Sequence, residues 1–347
     1  MQPEPLVNQA IDPPCSNTFG DNDWRILSRH WYPVARVQDV GEKPLAVTLL
    51  DVRLVVYRTP DGFCVAKDQC PHRGVPLSMG WVEGDEIVCC YHGLRYGPDG
   101  QCRKIPSQPD LKPSSRFRVA MFPVTERYGL LWTCLNPTEG NEIPPFEAWN
   151  DPEYQGLLPT PVDIKASAGR QVEGFVDVAH FAWIHHNAFA DRNMPEVPPY
   201  KTEVTDTCIR SEYWSSVSNY PKALQHLAPK GFQWLRVFEI YPPFTARLTV
   251  HFPENGKLWI LNTASPVSAT QTRLFVPLAR NFGQTGSVDE AYAFNAQIFA
   301  EDRAIVEHQQ PAELPLDLEA DAHFAADRTS TAYRRWLSKM GLEKKGA

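Results

Sequence analysis

Short apolar runs broken by turn signals dominate the first part of the chain. Ala46-Val-Thr-Leu-Leu50, Leu54-Val-Val-Tyr57 and Phe63-Cys-Val-Ala66 are strand-length runs, and Pro60-Asp-Gly62 and Pro98-Asp-Gly100 are turns. Residues from about 31 to 135 are therefore predicted to form closely spaced hairpins. Pro137, Pro144, Pro145, Pro152, Pro159 and Pro161 then interrupt the pattern, which divides the chain into domains over 24–150 and 151–342. Beyond the prolines the spacing predicts a helix over 168–186, strands near 203–217, 233–251, 257–264 and 271–279, and a late helix after Ser287. Ser287-Val-Asp-Glu290 has the form of a capping box, and Phe294, Ile298 and Ile305 follow at helical spacing. The predicted fold class is α+β: an N-terminal all-β domain, then a C-terminal domain with helices packed on an antiparallel sheet. There is no internal repeat and no low-complexity segment.

A chain of 347 residues is long for one core and comfortable for two. Its residues are 43% apolar, yet no apolar run is long enough to span a bilayer. Met1-Gln-Pro-Glu-Pro-Leu6 lacks the basic and apolar regions of a secretory signal, so a cytoplasmic location is expected. A net charge of −7 argues against partners such as nucleic acid or an anionic membrane surface. Lys344-Lys345 forms a basic pair in the tail, which is expected to be solvated.

The chemistry is concentrated in Cys70-Pro-His72 and, sixteen residues later, Cys89-Cys-Tyr-His92. Two thiolates and two imidazoles in mixed pairs suit a [2Fe–2S] centre in which histidines replace the cysteines on one iron. A tetrahedral zinc site takes the same donors, but zinc fingers keep cysteines near cysteines and histidines near histidines. The spacing makes Cys89 the ligand and leaves Cys90 beside it, expected as a small buried thiol. Cys15, Cys64, Cys102, Cys134 and Cys208 show no pairing logic and are read as structural.

A second set of donors follows. Asp177, His180 and His185 form D-x-x-H-x-x-x-x-H, in which the first two share a helical face and the third joins only where the helix loosens. Two imidazoles and a carboxylate make the facial triad of non-haem Fe(II) oxygenases. The distal carboxylate is sought in the late helix, where Asp302 falls on the apolar stripe between Ile298 and Ile305. Glu301 is the competing ligand, and an arginine salt bridge is the alternative explanation. His186 leaves the histidine register open on spacing alone.

The segments Cys70-Pro-His-Arg-Gly-Val-Pro-Leu-Ser-Met-Gly80 and Cys89-Cys-Tyr-His-Gly93 resemble the Rieske domain of ring-hydroxylating oxygenases. The likeness runs from Trp31-Tyr-Pro-Val-Ala35 to Tyr333-Arg-Arg-Trp336. It implies a Rieske [2Fe–2S] cluster on Cys70, His72, Cys89 and His92, and a mononuclear Fe(II) on His180, His185 and Asp302, with O2 as co-substrate. The resemblance selects His185 over His186, and Glu301-Asp302-Arg303 with Glu307 and Gln309 resembles the family's late helix. It makes Asp177 a bridge that joins His180 to His92 of an adjacent subunit, and hence implies a homotrimer. Two positions depart from relatives: Cys90 replaces a proline and Gly174 an asparagine; Val75 stands where respiratory Rieske proteins place a disulfide cysteine, so the resemblance implies a lower-potential, oxygenase-type cluster. The chain holds no Gly-rich dinucleotide fingerprint and no C-x₄-C-x₂-C run, so a separate NAD(P)H-dependent iron–sulfur flavin reductase is the expected electron donor.

Within the family, Ile105-Pro-Ser107, Pro144–Asp151 and Phe175–Phe181 look most like a subgroup of methyl-monooxygenases, O- and N-demethylases and saxitoxin-type hydroxylases. The resemblance implies hydroxylation of a methyl or alkyl C–H bond of a small aromatic acid such as p-toluenesulfonate. The alternatives are O- or N-demethylation of an aromatic or heterocyclic substrate and, from another class, an electron-transfer protein without oxygenase activity. A carrier has no need of Asp177, His180, His185 and Asp302. Phe189, Trp214, Tyr220, Trp234, Phe238 and Tyr241 are candidates to line an apolar pocket, although strand aromatics more often fill a core.

Overall fold

A computed structural model describes residues 10–285 and 287–343; the segment Met1–Leu6 and the pair Lys344-Lys345 lie outside them. The chain divides into two compact units between Ile143 and Pro144, inside the proline-rich stretch. Among the described residues no helix is long and apolar enough to cross a membrane.

The first unit opens with α1 (Asp21–Leu27), anchored by the fully buried Trp24, whose indole N–H donates to Leu50 O at 2.8 Å. Small antiparallel sheets follow. One orders Leu45–Leu49, Val52–Thr59, Gly62–Lys67 and Met121–Phe122; a second orders Trp81–Glu83, Glu86–Val88, Arg95–Tyr96 and Cys102–Lys104; a third places Leu130–Thr133 between Tyr32–Arg36 and Val124–Arg127. The runs around 46–50, 54–57 and 63–66 thus became neighbouring strands, and Pro60-Asp61 forms their second turn. Val55, Tyr57, Leu77, Ile87, Leu94 and Tyr96 pack beneath the two loops that carry the cysteine–histidine pairs.

The second unit is built on a nine-stranded antiparallel sheet. Its main path runs Gln155–Leu157, Leu278–Arg280, Lys257–Ser268, Thr245–His251, Trp234–Tyr241, Ile209–Ser215 and Lys201–Val204, with Gln271–Phe275 also paired to Lys257–Ser268 and to Val162–Ile164. Among the described residues four α-helices accompany the sheet: α2 (Ala168–Val176), the one-turn α3 (Phe181–Ile184), α4 (Val288–Val306) and α5 (Arg328–Lys339). The α+β class is the one the pattern predicted.

Two local expectations are corrected. The helix predicted over 168–186 stops at Val176, because Asp177 is extended (φ −70°, ψ 131°) and its Oδ1 accepts the Ala179 N–H at 2.7 Å, a local turn that competes with helix continuation. Asp177 and His180 therefore do not share a helical face. At the start of α4, Ser287 Oγ accepts from the Asp289 N–H at 3.2 Å rather than from Glu290, so the cap is a single bond and not a box.

Charge pairing locks α2 to α5. Glu173 receives Arg334 Nε at 2.6 Å and Arg334 Nη2 at 2.9 Å, with Arg170 Nη1 at 3.4 Å, and all three side chains are buried. Removing one member strands buried charge, which costs about 3–5 kcal/mol. Glu173→Ala is therefore expected to lower the thermal midpoint of the C-terminal unit by several degrees in calorimetry, whereas an unchanged midpoint would show that the network carries no stability.

Candidate metal centres

The first centre is assembled by two loops with the same backbone plan. One follows the strand Gly62–Lys67: Cys70 N–H donates to Val75 O at 2.8 Å, and Gly74 N–H to Cys70 O at 2.9 Å. The other links Glu86–Val88 to Arg95–Tyr96: Cys89 N–H donates to Leu94 O and Gly93 N–H to Cys89 O, both at 2.9 Å. Each loop closes on a glycine with positive φ, 72° at Gly74 and 68° at Gly93, where a side chain would add strain. Asp68 pins the first loop by accepting both the backbone N–H and the hydroxyl of Ser78 at 2.7 Å.

This plan sinks both thiols and lifts both imidazoles. Cys70 and Cys89 are 2% and 1% exposed, and Cys70 Sγ lies 3.1 Å from the Tyr96 hydroxyl. Towards the surface, His72 Nδ1 and His92 Nδ1 face each other at 3.1 Å. The four predicted residues are thus brought together, with soft donors on one side and nitrogens on the other, as a mixed-ligand [2Fe–2S] cluster requires. Cys90 corrects the expectation of a buried thiol: it is exposed, because burial of Cys89 turns the next residue of the loop outward. All eight cysteines are free; Cys102 and Cys134 are buried, Cys64 and Cys208 half-buried, and Cys15 exposed.

The second centre uses a break and a helix. His180 and His185 flank α3 as its N-cap and C-cap, which brings their Nε2 atoms to 3.1 Å. From α4, Asp302 Oδ1 lies 3.0 Å from His185 Nε2 and 3.4 Å from His180 Nε2. These three donor atoms lie within 4.8 Å of one another. They suit a divalent iron that keeps part of its coordination sphere free.

Carboxylates stand behind both rings. Asp177 Oδ2 is 3.6 Å from His180 Nδ1, and Glu301 Oε2 is 2.8 Å from His185 Nδ1. Glu301, weighed from sequence as a competing ligand, instead meets Nδ1 of His185, the nitrogen turned away from Asp302, and is itself braced by Gln297 Nε2 at 2.9 Å. Such contacts fix the tautomer and the ring orientation. Burial alone disfavours the His180 imidazolium, but Asp177 and Asp302 outweigh it and raise its pKa from 6.5 to about 9. Burial also opposes the Asp302 carboxylate, but His180 and His185 hold it down to about 2, so it stays anionic at neutral pH.

The late-helix stripe was only partly right. Phe294, Ile298 and Asp302 face inward, whereas Ile305 is 47% exposed, and Phe299 and Val306 supply the buried contacts. Gly174 sits where α2 approaches α4; a Cβ there would come within 3.2 Å of Val306 Cγ2, so the missing side chain permits close helix packing. His186 points away, with Nδ1 on Trp183 O at 2.8 Å.

A cavity of about 110 Å³ adjoins the triad, walled mainly by Phe175, Phe189, Leu258, Ile260, Phe294 and Ile298. Of the six aromatic residues predicted for such a pocket, only Phe189 lines it. Trp234 and Phe238 are core, Tyr220 packs on Trp234 and Phe252, Tyr241 flanks Arg247, and Trp214 is 51% exposed. Three polar residues line the cavity that sequence reasoning missed, Arg236, Asn219 and Asn295, the last with its Nδ2 donating to Ala291 O at 2.7 Å. Burial lowers the Arg236 pKa to about 10, which still leaves it cationic at neutral pH. A signal existed: Arg236 shares the inward phase of its strand with Trp234, Phe238 and Ile240, where a charge is out of place.

Comparison with known proteins identifies the families of both domains. The family profile of the Rieske [2Fe-2S] domain matches residues 30–123, and that of the vanillate O-demethylase oxygenase C-terminal domain matches residues 164–343. The chain is 34% identical to methylxanthine N1-demethylase NdmA of Pseudomonas putida, over 92% of this chain and 91% of that protein. The NdmA structure with caffeine superposes with a TM-score of 0.82 at 31% identity, covering 94% of each chain. A vanillate O-demethylase oxygenase subunit of a Pseudomonas species is 27% identical over 81% of this chain and 85% of its own. The toluene-4-sulfonate monooxygenase system iron-sulfur subunit TsaM1 of Comamonas testosteroni is 26% identical over 80% and 86%.

The brace on His185 yields a prediction. Loss of such an outer contact typically costs 10–100-fold in metal affinity, so Glu301→Ala should weaken Fe(II) binding by roughly that factor, while Glu301→Gln, which still offers an acceptor oxygen, recovers much of it. Chelator-competition titrations measure the affinity; equal affinities for wild type and Glu301→Ala would show that the contact does not support the ligand.

Proposed function

Because this chain belongs to the Rieske non-haem iron oxygenases, we propose that it hydroxylates a methyl group carried on nitrogen or oxygen of a small aromatic or heteroaromatic compound. The methyl group then leaves as formaldehyde. The observation that carries this reading is the 34% identity to an N-demethylase over nearly the whole chain. The enzyme is a monooxygenase that uses a Rieske [2Fe–2S] cluster, a mononuclear iron and O2, and it receives its electrons from a separate reductase.

In this reading Cys70, His72, Cys89 and His92 hold the cluster, and His180, His185 and Asp302 hold the iron. When bound, these groups supply one-electron delivery and the activation of O2. The chain's own residues do the rest. The phenylalanines and aliphatic side chains of the cavity take up a flat ring and exclude water, and ring placement decides which C–H bond is nearest the iron. Asp177 holds His180 through Nδ1 and, in a homotrimer, reaches His92 of the adjacent subunit. A cytoplasmic trimer is part of the same proposal.

Hydroxylating a methyl group on nitrogen or oxygen consumes one O2, two electrons and two protons, and yields water and a hemiaminal or hemiacetal. That adduct breaks its C–N or C–O bond to give formaldehyde and the demethylated ring. An aryl methyl group undergoes the same insertion but keeps its carbon as a benzylic alcohol. The similarity to TsaM1 favours that second reading, with p-toluenesulfonate as substrate.

Turnover with a surrogate reductase, NADH and O2 separates the two. Methoxy- and N-methyl-aromatic compounds are expected to release formaldehyde in step with the demethylated product. Formation of a benzylic alcohol from p-toluenesulfonate, with no formaldehyde from any methoxy or N-methyl compound, would establish the second reading, and a cis-dihydrodiol would overturn both.

A further inference from the structure

Four arginines of the C-terminal unit are buried among the described residues: Arg170, Arg236, Arg247 and Arg334. Three meet a carboxylate: Arg170 and Arg334 share Glu173, and Arg247 pairs with Glu239 through Nε at 3.0 Å and Nη2 at 2.5 Å. Arg236, 1% exposed, meets none. Its Nε and Nη2 donate to Asn219 Oδ1 at 3.3 and 2.9 Å, and Nη2 also to Val217 O at 3.0 Å. Nη1 has no acceptor, and neither has Nδ2 of Asn219. Two donor nitrogens, each an NH2 group, that belong to hydrogen-bonded neighbours are thus left unused in one place, and both residues line the cavity beside the triad.

A purely structural role accounts for only half of this. Pinning the 217–219 segment uses Nε and Nη2, and it explains neither the idle Nη1 nor the lack of a counter-charge. The rings of Phe181 and Tyr213 lie 5.5 and 5.6 Å from the guanidinium carbon and offset part of the cost of burying a cation. A neutral acceptor would satisfy the spare hydrogen bonds and leave the charge unmatched; an oxyanion satisfies both, and guanidinium–oxyanion bonds are among the strongest hydrogen bonds available. The same Phe181 ring is 4.9 Å from the ring of His180, so a single aromatic side chain separates the cation from the triad.

We propose that Arg236 and Asn219 form an anion-binding corner of the substrate cavity, which takes the carboxylate or sulfonate of an aromatic acid and so fixes which end of the ring faces the triad. The proposal rests on the oxygenase reading of that cavity and narrows its substrate class to aromatic acids. Arg236 is thereby a specificity-determining residue, with Asn219 both orienting it and adding a second donor.

Equilibrium binding to the intact, metal-loaded protein tests this without turnover. Calorimetric titrations compare 4-methoxybenzoate with 4-methoxybenzamide, and 4-toluenesulfonate with 4-toluenesulfonamide. Each acid is expected to bind at least about tenfold more tightly than its amide if the corner accepts both oxyanions, and one pair alone showing the preference identifies the oxyanion it takes. Arg236→Met should erase the acid-over-amide ratio, and Arg236→Lys should keep part of it; a purely structural pin would weaken acid and amide alike and leave their ratio unchanged. Equal affinities for acid and amide in both pairs, a ratio that survives in folded Arg236→Met, or no binding by either acid would overturn the proposal. The wild-type comparison decides alone if the variant does not fold. Acid preference without formaldehyde release would leave this corner standing and count against demethylation, whereas formaldehyde release without acid preference would do the reverse.

Discussion

Two imidazoles, each with a carboxylate behind it, are the constraint on which the C-terminal unit depends. His180 and His185 can present Nε2 to a shared point only if their Nδ1 sides are satisfied elsewhere, and Asp177 and Glu301 stand on those sides. Geometry follows from this requirement. Helix α2 must end before Asp177, the single turn of α3 must swing His185 back towards His180, and α4 must run close enough for Glu301 and Asp302, consecutive in sequence, to serve different atoms of one histidine. The close approach of Gly174 to Val306 and the ionic tie between α2 and α5 hold the helices that carry these groups.

Much of this was legible in the sequence because the ligand spacing is local. A C-x-H loop and a C-x-x-H loop each bring their donors together within a few residues, so the first centre could be read without knowing the fold, and the structure gathers those four side chains. Asp302 was legible for another reason: a carboxylate on the apolar phase of a helix needs an explanation, and a metal supplies one. The helix break was not legible, since propensity runs through 168–186 and only the side-chain turn of Asp177 stops it. Nor was the outward orientation of Cys90 and Ile305, because one residue of loop geometry or a small rotation of α4 decides which side chain faces solvent. Arg236 obeyed the rule that revealed Asp302, a charge on an apolar phase, but in a strand too generic to stand out.

The cavity joins the two chemical readings. N- or O-demethylation and aryl methyl hydroxylation insert oxygen into the same kind of bond and differ in the atom that carries the methyl group. A mostly apolar wall is indifferent to that atom, so selectivity passes to the few polar groups that orient the ring. The vanillate and toluene-4-sulfonate enzymes among the relatives are named for acids, and methylxanthine is not one.

The central claim is that two separate donor sets hold two separate iron centres, and iron counting with spectroscopy tests it most directly. Protein purified anaerobically and loaded with Fe(II) should contain two cluster irons and one mononuclear iron per chain. Asp302→Ala should lose the mononuclear iron alone and keep the electron paramagnetic resonance signal of the reduced Rieske cluster unchanged. Retention of all three irons by Asp302→Ala, or collapse of the cluster signal together with the loss, would contradict the account.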